Sequence, residues 1–276
     1  MAGAFYAGTS EHLKVQIQEC FLHTFGPGKI PKINLTGQRR IVGLVCPHAG
    51  YIYSGPVAAH AYAELAEDGP IKTVVILGPN HTGLGSPIAT MNEGKWRTPL
   101  GEVEINREVA ERIVKLAGIV DIDYVAHVEE HSIEVQLPFL QYVYDSNFTF
   151  VPICFQLQDL ASATEVGEAL AKALQNENAI IIASSDLTHY EPQSRALEKD
   201  SLALKAVEAL DEKLLISTIE KQRISACGYG PIAALVVAAK LLNAKEAKTL
   251  SHRTSGDITG DYHSVVGYAA MVLRKP

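Results

Sequence analysis

The stretch IVGLVCPHAGYIYSGPVAAHAYAELAE, residues 41–67, contains the pattern that decides the fold. Its first six residues, 41–46, form an apolar run that stops at Pro47, which is typical of a β-strand buried on both faces. Residues 55–67 are then predicted to form a helix with Pro56 near its first turn, where a missing N–H costs little. A buried strand followed by a helix is the unit from which parallel sheets are built.

The same alternation continues along the chain. Apolar runs predict further buried strands at 72–78, 148–155 and 179–184. Other strands are predicted at 87–92, 102–106, 247–253 and 264–273, and other helices at 11–24, 107–117, 132–144, 160–174, 193–210, 211–220 and 231–243. Ser10 is a plausible N-cap for the first helix, and Pro138 is expected to kink or break the helix at 132–144. The pattern predicts a single α/β domain over residues 1–276, with a mostly parallel, mixed central sheet and helices on both faces.

Composition excludes several classes of protein. The chain has 276 residues, of which 47% are hydrophobic and 20% charged, so it is not a disordered chain. Its net charge of −7 gives nucleic acid and anionic lipid no general attraction. No apolar stretch approaches the ~20 residues that span a bilayer, and no secretory signal is visible. The four cysteines occur singly, without a CxxC pair, which favours a reducing compartment. We therefore expect a cytoplasmic protein with neither nucleic acid nor membrane as a partner.

Chemically capable residues follow three of the predicted buried strands. His48 follows 41–46, His81 follows 72–78, and Asp186 and His189 follow 179–184. The carboxyl ends of neighbouring parallel strands converge on one crevice of the sheet. Any one of these histidines taken alone would be read as structural. Together they predict three imidazoles in a common site, with Asp186 and His189 as an acid/base pair.

Cys227 lies in the segment SACGYGPIAAL, 225–235, in a turn that leads into a predicted helix. The positive end of a helix dipole favours a thiolate, although a free cysteine is more often a small buried hydrophobe. Two imidazoles from His48 and His81 with this thiolate would form a three-ligand metal site. Such a donor set suits zinc, copper or iron(II) and disfavours magnesium or calcium. Cys20, Cys46 and Cys154 lie in apolar patterns and are expected to be core residues.

A further polar segment, HVEEHSIEVQLP at 127–138, contains His127, Glu129, Glu130, His131 and Glu134. On a helix, His131 and Glu134 would share one face. The spacing could serve a metal site, but a polar loop that runs into a solvated helix face fits it at least as well. The segment is therefore interpreted only as possible lining of the cleft.

Several motifs together resemble the Memo family (mediator of cell motility), whose fold is similar to that of class III extradiol ring-cleaving dioxygenases. The resemblance extends over nearly the whole chain. The motifs are AGAFY (2–6), PHAGYIYSGPVAAHAY (47–62), ILGPNHTG (76–83), EHSIEVQLPFLQ (130–141), SSDLTHY (184–190), CGYGP (227–231) and SGDITGDYHSVVGYAA (255–270).

The resemblance implies a dioxygenase-like fold with a metal site in its cleft. His48, His81 and Cys227 match the metal-ligand positions, His189 matches the acid/base histidine of the dioxygenases, and Asp186 lies beside it. The dioxygenases have a glutamate where this chain has Cys227, so catechol ring cleavage does not carry over. The resemblance also implies iron or copper in preference to zinc and a small-molecule or phosphopeptide-like ligand. A radical-SAM protein and an AMMECR-type protein are its implied partners.

Three hypotheses of function remain open at this point. The first is a metal-dependent redox enzyme that acts on a small molecule. The second is a metal-free hydrolase or transferase, with Cys227 as nucleophile, His189 as base and Asp186 as its orienting partner. The third is a binding module that captures an anionic or aromatic ligand, such as a phosphopeptide-like one, without turnover. Its expected lining residues are Tyr51, Tyr53, Trp96 and Tyr190.

Overall fold

Strands and helices alternate along most of the chain in the computed structural model, which describes residues 1–36 and 39–276. Within those ranges the strands are β1 (Ile41–Cys46), β2 (Thr73–Pro79), β3 (Ile88–Thr90), β4 (Lys95–Thr98), β5 (Gly101–Ile105), β6 (Asp121–Ile122), β7 (Thr149–Phe155), β8 (Ala179–Ser184), β9 (His189–Glu191), β10 (Glu246–Thr254) and β11 (Val265–Arg274). The helices are α1 (Ser10–Leu22), α2 (Tyr51–Asp68), α3 (Arg107–Leu116), α4 (Leu137–Tyr144), α5 (Leu160–Leu174), α6 (Gln193–Glu208), α7 (Glu212–Gln222), α8 (Tyr229–Leu241) and α9 (Ser255–Thr259). Short 3₁₀ turns lie at Val125–His127 and Glu134–Gln136.

The strands form one mixed sheet in the order β10-β11-β1-β8-β2-β7-β3-β6. The four adjacent strands β1, β8, β2 and β7 are parallel to one another. On one side β11 is antiparallel to β1, and on the other β3 is antiparallel to β7. A β4–β5 hairpin joins through β5 to β7, and β9 pairs with β11. The predicted mostly parallel, mixed sheet is confirmed.

Helices cover both faces of this sheet. Successive residues of a strand point to opposite faces, and accordingly Leu44 and Ile76 pack in the core shared with α1, α2 and α4. Val45 and Leu77 pack in the other core, with α3, α5, α6, α7 and α8. The continuous apolar runs of the central strands are thus explained by burial on both faces, and the predicted single α/β domain is confirmed. Among residues 1–36 and 39–276, every helix is too short or too polar for a bilayer crossing.

Two helices begin at positions that differ from the prediction. Ser10 is the first residue of α1 and not its N-cap, because the side chain of Thr9 accepts the capping hydrogen bond from His12 N. α2 begins at Tyr51 and not at residue 55, so Pro56 lies inside the helix beyond its first turn. The sequence pattern locates both helices correctly but misses the residues that start them.

The predicted helix at 132–144, which Pro138 was expected to kink or break, does not form as one continuous helix. A 3₁₀ turn precedes α4, and Pro138 lies in the first turn of α4, where the helix needs no N–H from it. The sequence also does not predict the short strands β4, β6 and β9. Each of them depends on pairing with a neighbouring strand and has no apolar run of its own.

Gly43 provides a test of the packing between β1 and α8. A Cβ at this position would lie 2.3 Å from Leu235 Cδ1 and 2.7 Å from the backbone oxygen of Ile181. We expect Gly43→Ala to lower the free energy of unfolding by about 1–3 kcal/mol, because the strand must shift to relieve the overlap. Urea denaturation followed by circular dichroism measures the change.

The matched control is Gly118→Ala, whose added Cβ meets only Glu165 Oε1 at 3.6 Å, an ordinary contact. It should leave the free energy of unfolding within about 1 kcal/mol of wild type, since alanine there restricts the unfolded chain without a clash. Equal urea midpoints for the two variants would contradict the packing argument.

Candidate metal centre

His48, His81 and Cys227 lie together beyond the carboxyl ends of the central strands. β8 separates β1 from β2 in the sheet, so the segments that follow these strands are close neighbours. Cys227 Sγ lies 3.1 Å from His48 Nε2, and the rings of His48 and His81 have centroids 5.2 Å apart. One donor atom from each of the three residues lies within 4.8 Å of the other two. The structure thus brings together the three residues predicted as ligands.

Hydrogen bonds fix which nitrogen of His48 carries the proton. Ser184 Oγ donates to the Ser132 carbonyl oxygen at 2.6 Å and accepts from Gln136 Nε2 at 2.8 Å. A hydroxyl has only one hydrogen, and that of Ser184 is already used. In its 2.9 Å contact with His48, Ser184 Oγ must therefore be the acceptor, and His48 Nδ1 carries the proton and donates it. Burial, and then the neighbouring imidazoles of His131 and His81, hold the pKa of His48 well below its usual range. His48 therefore directs an unprotonated Nε2 at Cys227.

Glu130 orients His81 in the same way. Its Oε1 lies 3.0 Å from His81 Nδ1 and accepts from Ser132 N at 2.8 Å, while Oε2 accepts from His81 N at 2.6 Å. Burial raises the pKa of Glu130, but these hydrogen bonds outweigh burial and hold it at about 2. The ionised carboxylate selects the Nδ1–H form of His81 and leaves Nε2 free. This carboxylate–histidine pairing is what most metal-binding histidines have.

Cys227 is held by the loop that follows β8. Asp186 N donates to Cys227 Sγ at 3.2 Å, and Cys227 N donates to the Asp186 carbonyl at 3.2 Å. A Cβ on Gly228, the N-cap of α8, would lie 2.4 Å from Ser184 O, so only glycine lets this turn approach β8 so closely. Cys227 is partly exposed, whereas the other cysteines are buried, as predicted.

The thiolate predicted from the dipole of α8 is not supported. Desolvation of the sulfur, and then the negative charge of Asp186, raise the pKa of the Cys227 thiol. The helix begins at Tyr229, two residues beyond Cys227, and the charged side chain that acts on the sulfur, Asp186, is acidic. Among the protein's own charges, then, the sulfur is held as a thiol. A cation at the site would act in the opposite direction.

Asp186 and His189, the predicted acid/base pair, lie on the same loop but in different surroundings. Asp186 is buried, and its Oδ1 accepts from His48 N at 2.8 Å. Burial raises the pKa of Asp186 to about 6, although the His48 N–H and the charge of His189 lower it. His189 is partly exposed, and its Nδ1 lies 2.9 Å from the carbonyl oxygen of Ser225. Since a carbonyl can only accept, Nδ1 carries the proton and Nε2 is left free.

The segment 127–138 has a larger part in the site than the sequence indicated. The His131 ring stacks between His81 and Phe5, with centroids 4.6 and 4.3 Å away, and meets the His48 ring nearly at right angles at 5.3 Å. Donor atoms of His81, Glu130 and His131 form a second group within 4.8 Å of one another. From the sequence, Glu130 and His131 were interpreted only as possible lining of the cleft, and neither was assigned a role in orienting a ligand. The sequence signal for this role was Glu130 directly before His131, but the residue that Glu130 orients, His81, is distant in sequence.

His127 and Glu134 belong to neither of these two groups of donor atoms. His127 is buried against Trp96, and neither ring nitrogen has a hydrogen-bond partner among the described residues. Glu134 accepts a 2.5 Å hydrogen bond from the Tyr6 hydroxyl. Glu134 is on a 3₁₀ turn, so the helical pairing of His131 with Glu134 does not form.

The aromatic residues predicted to line a binding cleft are divided by the structure. Tyr51 is buried and its hydroxyl donates to the Val135 carbonyl, so it does not line an open cleft. Trp96 packs against Phe150 and His127. Tyr53 and Tyr190 are exposed, and Tyr190 has a positive φ of 60°, a backbone strain that often marks functional sites.

The comparisons with known proteins agree with this architecture. The family described as "Memo-like protein" matches residues 1–272. A MEMO1 family protein from Methanopyrus kandleri is 52% identical over 277 residues, covering 100% of this chain and 98% of its own length. A MEMO1 family protein from Methanocaldococcus jannaschii is 49% identical over 282 residues, covering 99% of this chain and 97% of its own.

A solved structure extends the comparison to the fold alone. The crystal structure of an uncharacterized protein from Escherichia coli K12 is similar, with a TM-score of 0.60. It covers 84% of this chain and 100% of its own length at 15% sequence identity. The match over nearly the whole sequence and the identity to two archaeal relatives show that this chain belongs to the Memo family.

Proposed function

We propose that this protein holds one iron or copper ion between His48, His81 and Cys227 and uses it for redox chemistry on a small molecule. The observation that carries the proposal is the approach of three donor atoms to within 4.8 Å of one another. The arrangement of the histidines supports it, because Ser184 and Glu130 each occupy an Nδ1 and leave Nε2 as the donor.

The donor set fits this class of metal. Two imidazoles and a thiol sulfur suit copper, iron or zinc, whereas magnesium and calcium require oxygen ligands. Zinc has no redox chemistry, so the proposed reaction needs iron or copper. Such an ion would supply one-electron chemistry, and three protein ligands leave room for a substrate.

Asp186 and His189 are proposed to handle protons beside the ion. Asp186 has one carboxylate oxygen fixed by His48 N, so it also holds the backbone of the first ligand in place. His189 donates from Nδ1 to Ser225, which makes Nε2 the atom that can take up and return a proton. His189 follows Asp186 by three residues, on the loop that also contacts Cys227.

Loss of the sulfur tests the metal site directly. Protein purified without chelators should contain about one iron or copper ion per chain, and Cys227→Ala should contain less than about a tenth of that amount. Elemental analysis by mass spectrometry measures the stoichiometry. The control is Cys20→Ala, a buried cysteine of α1 whose loss should leave the metal content unchanged. Wild-type protein without stoichiometric iron or copper would reject the proposal.

Glu130→Gln tests the orientation of His81. The amide keeps the shape of Glu130 but removes the charge that supports the Nδ1–H form of His81. We expect metal affinity to fall by about 10- to 100-fold, as for other partners of metal-bound histidines. Competition with a chromophoric chelator measures the dissociation constant. Glu129→Gln is the neighbouring control, because Glu129 is exposed, and its affinity should equal that of wild type. Equal affinities for both variants would exclude a role of Glu130 in orienting the ligand.

The 3.1 Å contact between Cys227 Sγ and His48 Nε2 favours one alternative, a metal-free cysteine hydrolase or transferase. The predicted base of that mechanism was His189, but His48 is the imidazole in contact with the sulfur. The raised pKa of the Cys227 thiol makes such a nucleophile weak in the free protein.

Alkylation separates these two functions. Cys227 is the partly exposed cysteine, so iodoacetamide should modify it before the buried Cys20, Cys46 and Cys154. Iron(II) or copper should slow its modification by at least about tenfold if the sulfur is a ligand. Peptide mass spectrometry after timed quenching measures the rate. Rapid modification that neither ion slows would support the cysteine enzyme.

A further inference from the structure

Asp200 of α6 is a fully buried carboxylate that belongs to neither group of clustered donor atoms described above. Its Oδ1 accepts from Thr188 N at 2.9 Å, and its Oδ2 lies 3.1 Å from Nε2 of His252, on the sheet-edge strand β10. A buried carboxylate is unfavourable unless it is paired or hydrogen-bonded, and here each oxygen has a defined partner. The proposed reaction uses neither Asp200 nor His252.

The strand β11 packs directly against this carboxylate at Gly267. A Cβ at Gly267 would lie 1.9 Å from Asp200 Oδ2, so any other residue would displace Asp200. Gly267 N donates to the Thr188 carbonyl at 2.8 Å, and Leu187 N donates to the Gly267 carbonyl at 2.8 Å. The strand therefore holds both Leu187 and Thr188, and the carboxylate of Asp200 holds Thr188 as well.

The same loop contacts the proposed metal ligands from its other side. Asp186, two residues before Thr188, donates from its backbone to Cys227 Sγ and accepts from His48 N. Ser185 Oγ accepts from Gly228 N at 2.9 Å, which ties the loop to the turn that holds Cys227. Residues 185–188 thus connect Asp200, which contacts Thr188, to the proposed ligands His48 and Cys227, which contact Asp186.

We infer that Asp200 and His252 are a positioning pair that fixes residues 185–188 and, through Asp186, the position of Cys227 Sγ relative to His48. His252 holds the second oxygen of Asp200, which leaves the first directed at Thr188 N. This inference rests on the proposed metal site for its effect on function. The distance between Cys227 Sγ and His48 Nε2, however, can be measured in the protein without any metal ion.

Cobalt(II) is the probe for the functional effect, because its sulfur-to-cobalt charge-transfer band reports directly on Cys227. Asp200→Ala removes the acceptor of Thr188 N and should weaken cobalt(II) binding by about tenfold or more and shift the band. Asp200→Asn retains an oxygen for Thr188 N and an amide for His252, so it should bind within about threefold of wild type. Rescue by the amide would show that the hydrogen bonds matter and not the charge alone.

Glu212→Ala is the matched control for loss of a buried carboxylate. Glu212 of α7 is buried and paired with Lys240 at 2.6 Å, away from the loop at 185–188. It should lower the thermal midpoint in circular dichroism while leaving the cobalt(II) affinity and spectrum unchanged. If Asp200→Ala does not fold, His252→Leu takes its place, since it releases Asp200 Oδ2 from its partner.

A crystal structure of the same Asp200 or His252 variant, prepared with chelator, separates failure of this inference from failure of the proposed function. The separation of Cys227 Sγ from His48 Nε2 is 3.1 Å in the wild-type chain, and it should exceed about 4 Å in the variant, beyond hydrogen-bond range. An unchanged separation overturns the positioning role, whether or not wild type binds cobalt(II). A moved sulfur in a protein that never binds the ion supports the positioning role and rejects the metal site instead.

Discussion

The register of β8 between β1 and β2 is the constraint on which the site depends. Ser184, the last residue of β8, pairs with Cys46, two residues before His48. On the other side Ala183 pairs with Leu77, near the end of β2. A shift of one residue would turn every side chain of β8 to the opposite face, and Ser184 Oγ would then no longer meet His48 Nδ1. Backbone pairing with β1 on one side and β2 on the other holds β8 in this register.

Two glycines then admit segments from outside the sheet. A Cβ on Gly78 would lie 2.5 Å from Ser132 Oγ, and a Cβ on Gly228 would lie 2.4 Å from Ser184 O. The first close approach places Glu130 beside His81, and the second places Cys227 beside His48. The imidazole donors therefore come from the ends of parallel strands, whereas the sulfur and the orienting carboxylate come from segments packed against those ends.

The parts of this arrangement that sequence predicts are the local ones. Apolar runs located the central strands, and the polar residues directly after them identified His48 and His81. Glu130 was named only as one polar residue of the segment 127–138, because its role depends on contact with His81, and no periodicity encodes that contact. The protein's own groups do not favour the expected thiolate of Cys227, for a related reason: helix position is visible in sequence, but desolvation and the approach of Asp186 are not. Tyr51 was likewise predicted to line a binding cleft, but its side chain is buried, and burial of this kind is not visible in the sequence.

The charges of the site favour a cation over the phosphopeptide-like ligand that the family resemblance also suggested. An anion requires N–H donors or positive side chains directed at it. His48 and His81 instead have their Nδ1–H groups committed to Ser184 and Glu130, so their free nitrogens accept. Glu130, whose carboxylate contacts the His81 ring, and Asp186, whose carboxylate accepts from His48 N, would repel an anion. A cation gains from the same groups, because unprotonated donors and buried negative charge lower its free energy at this point.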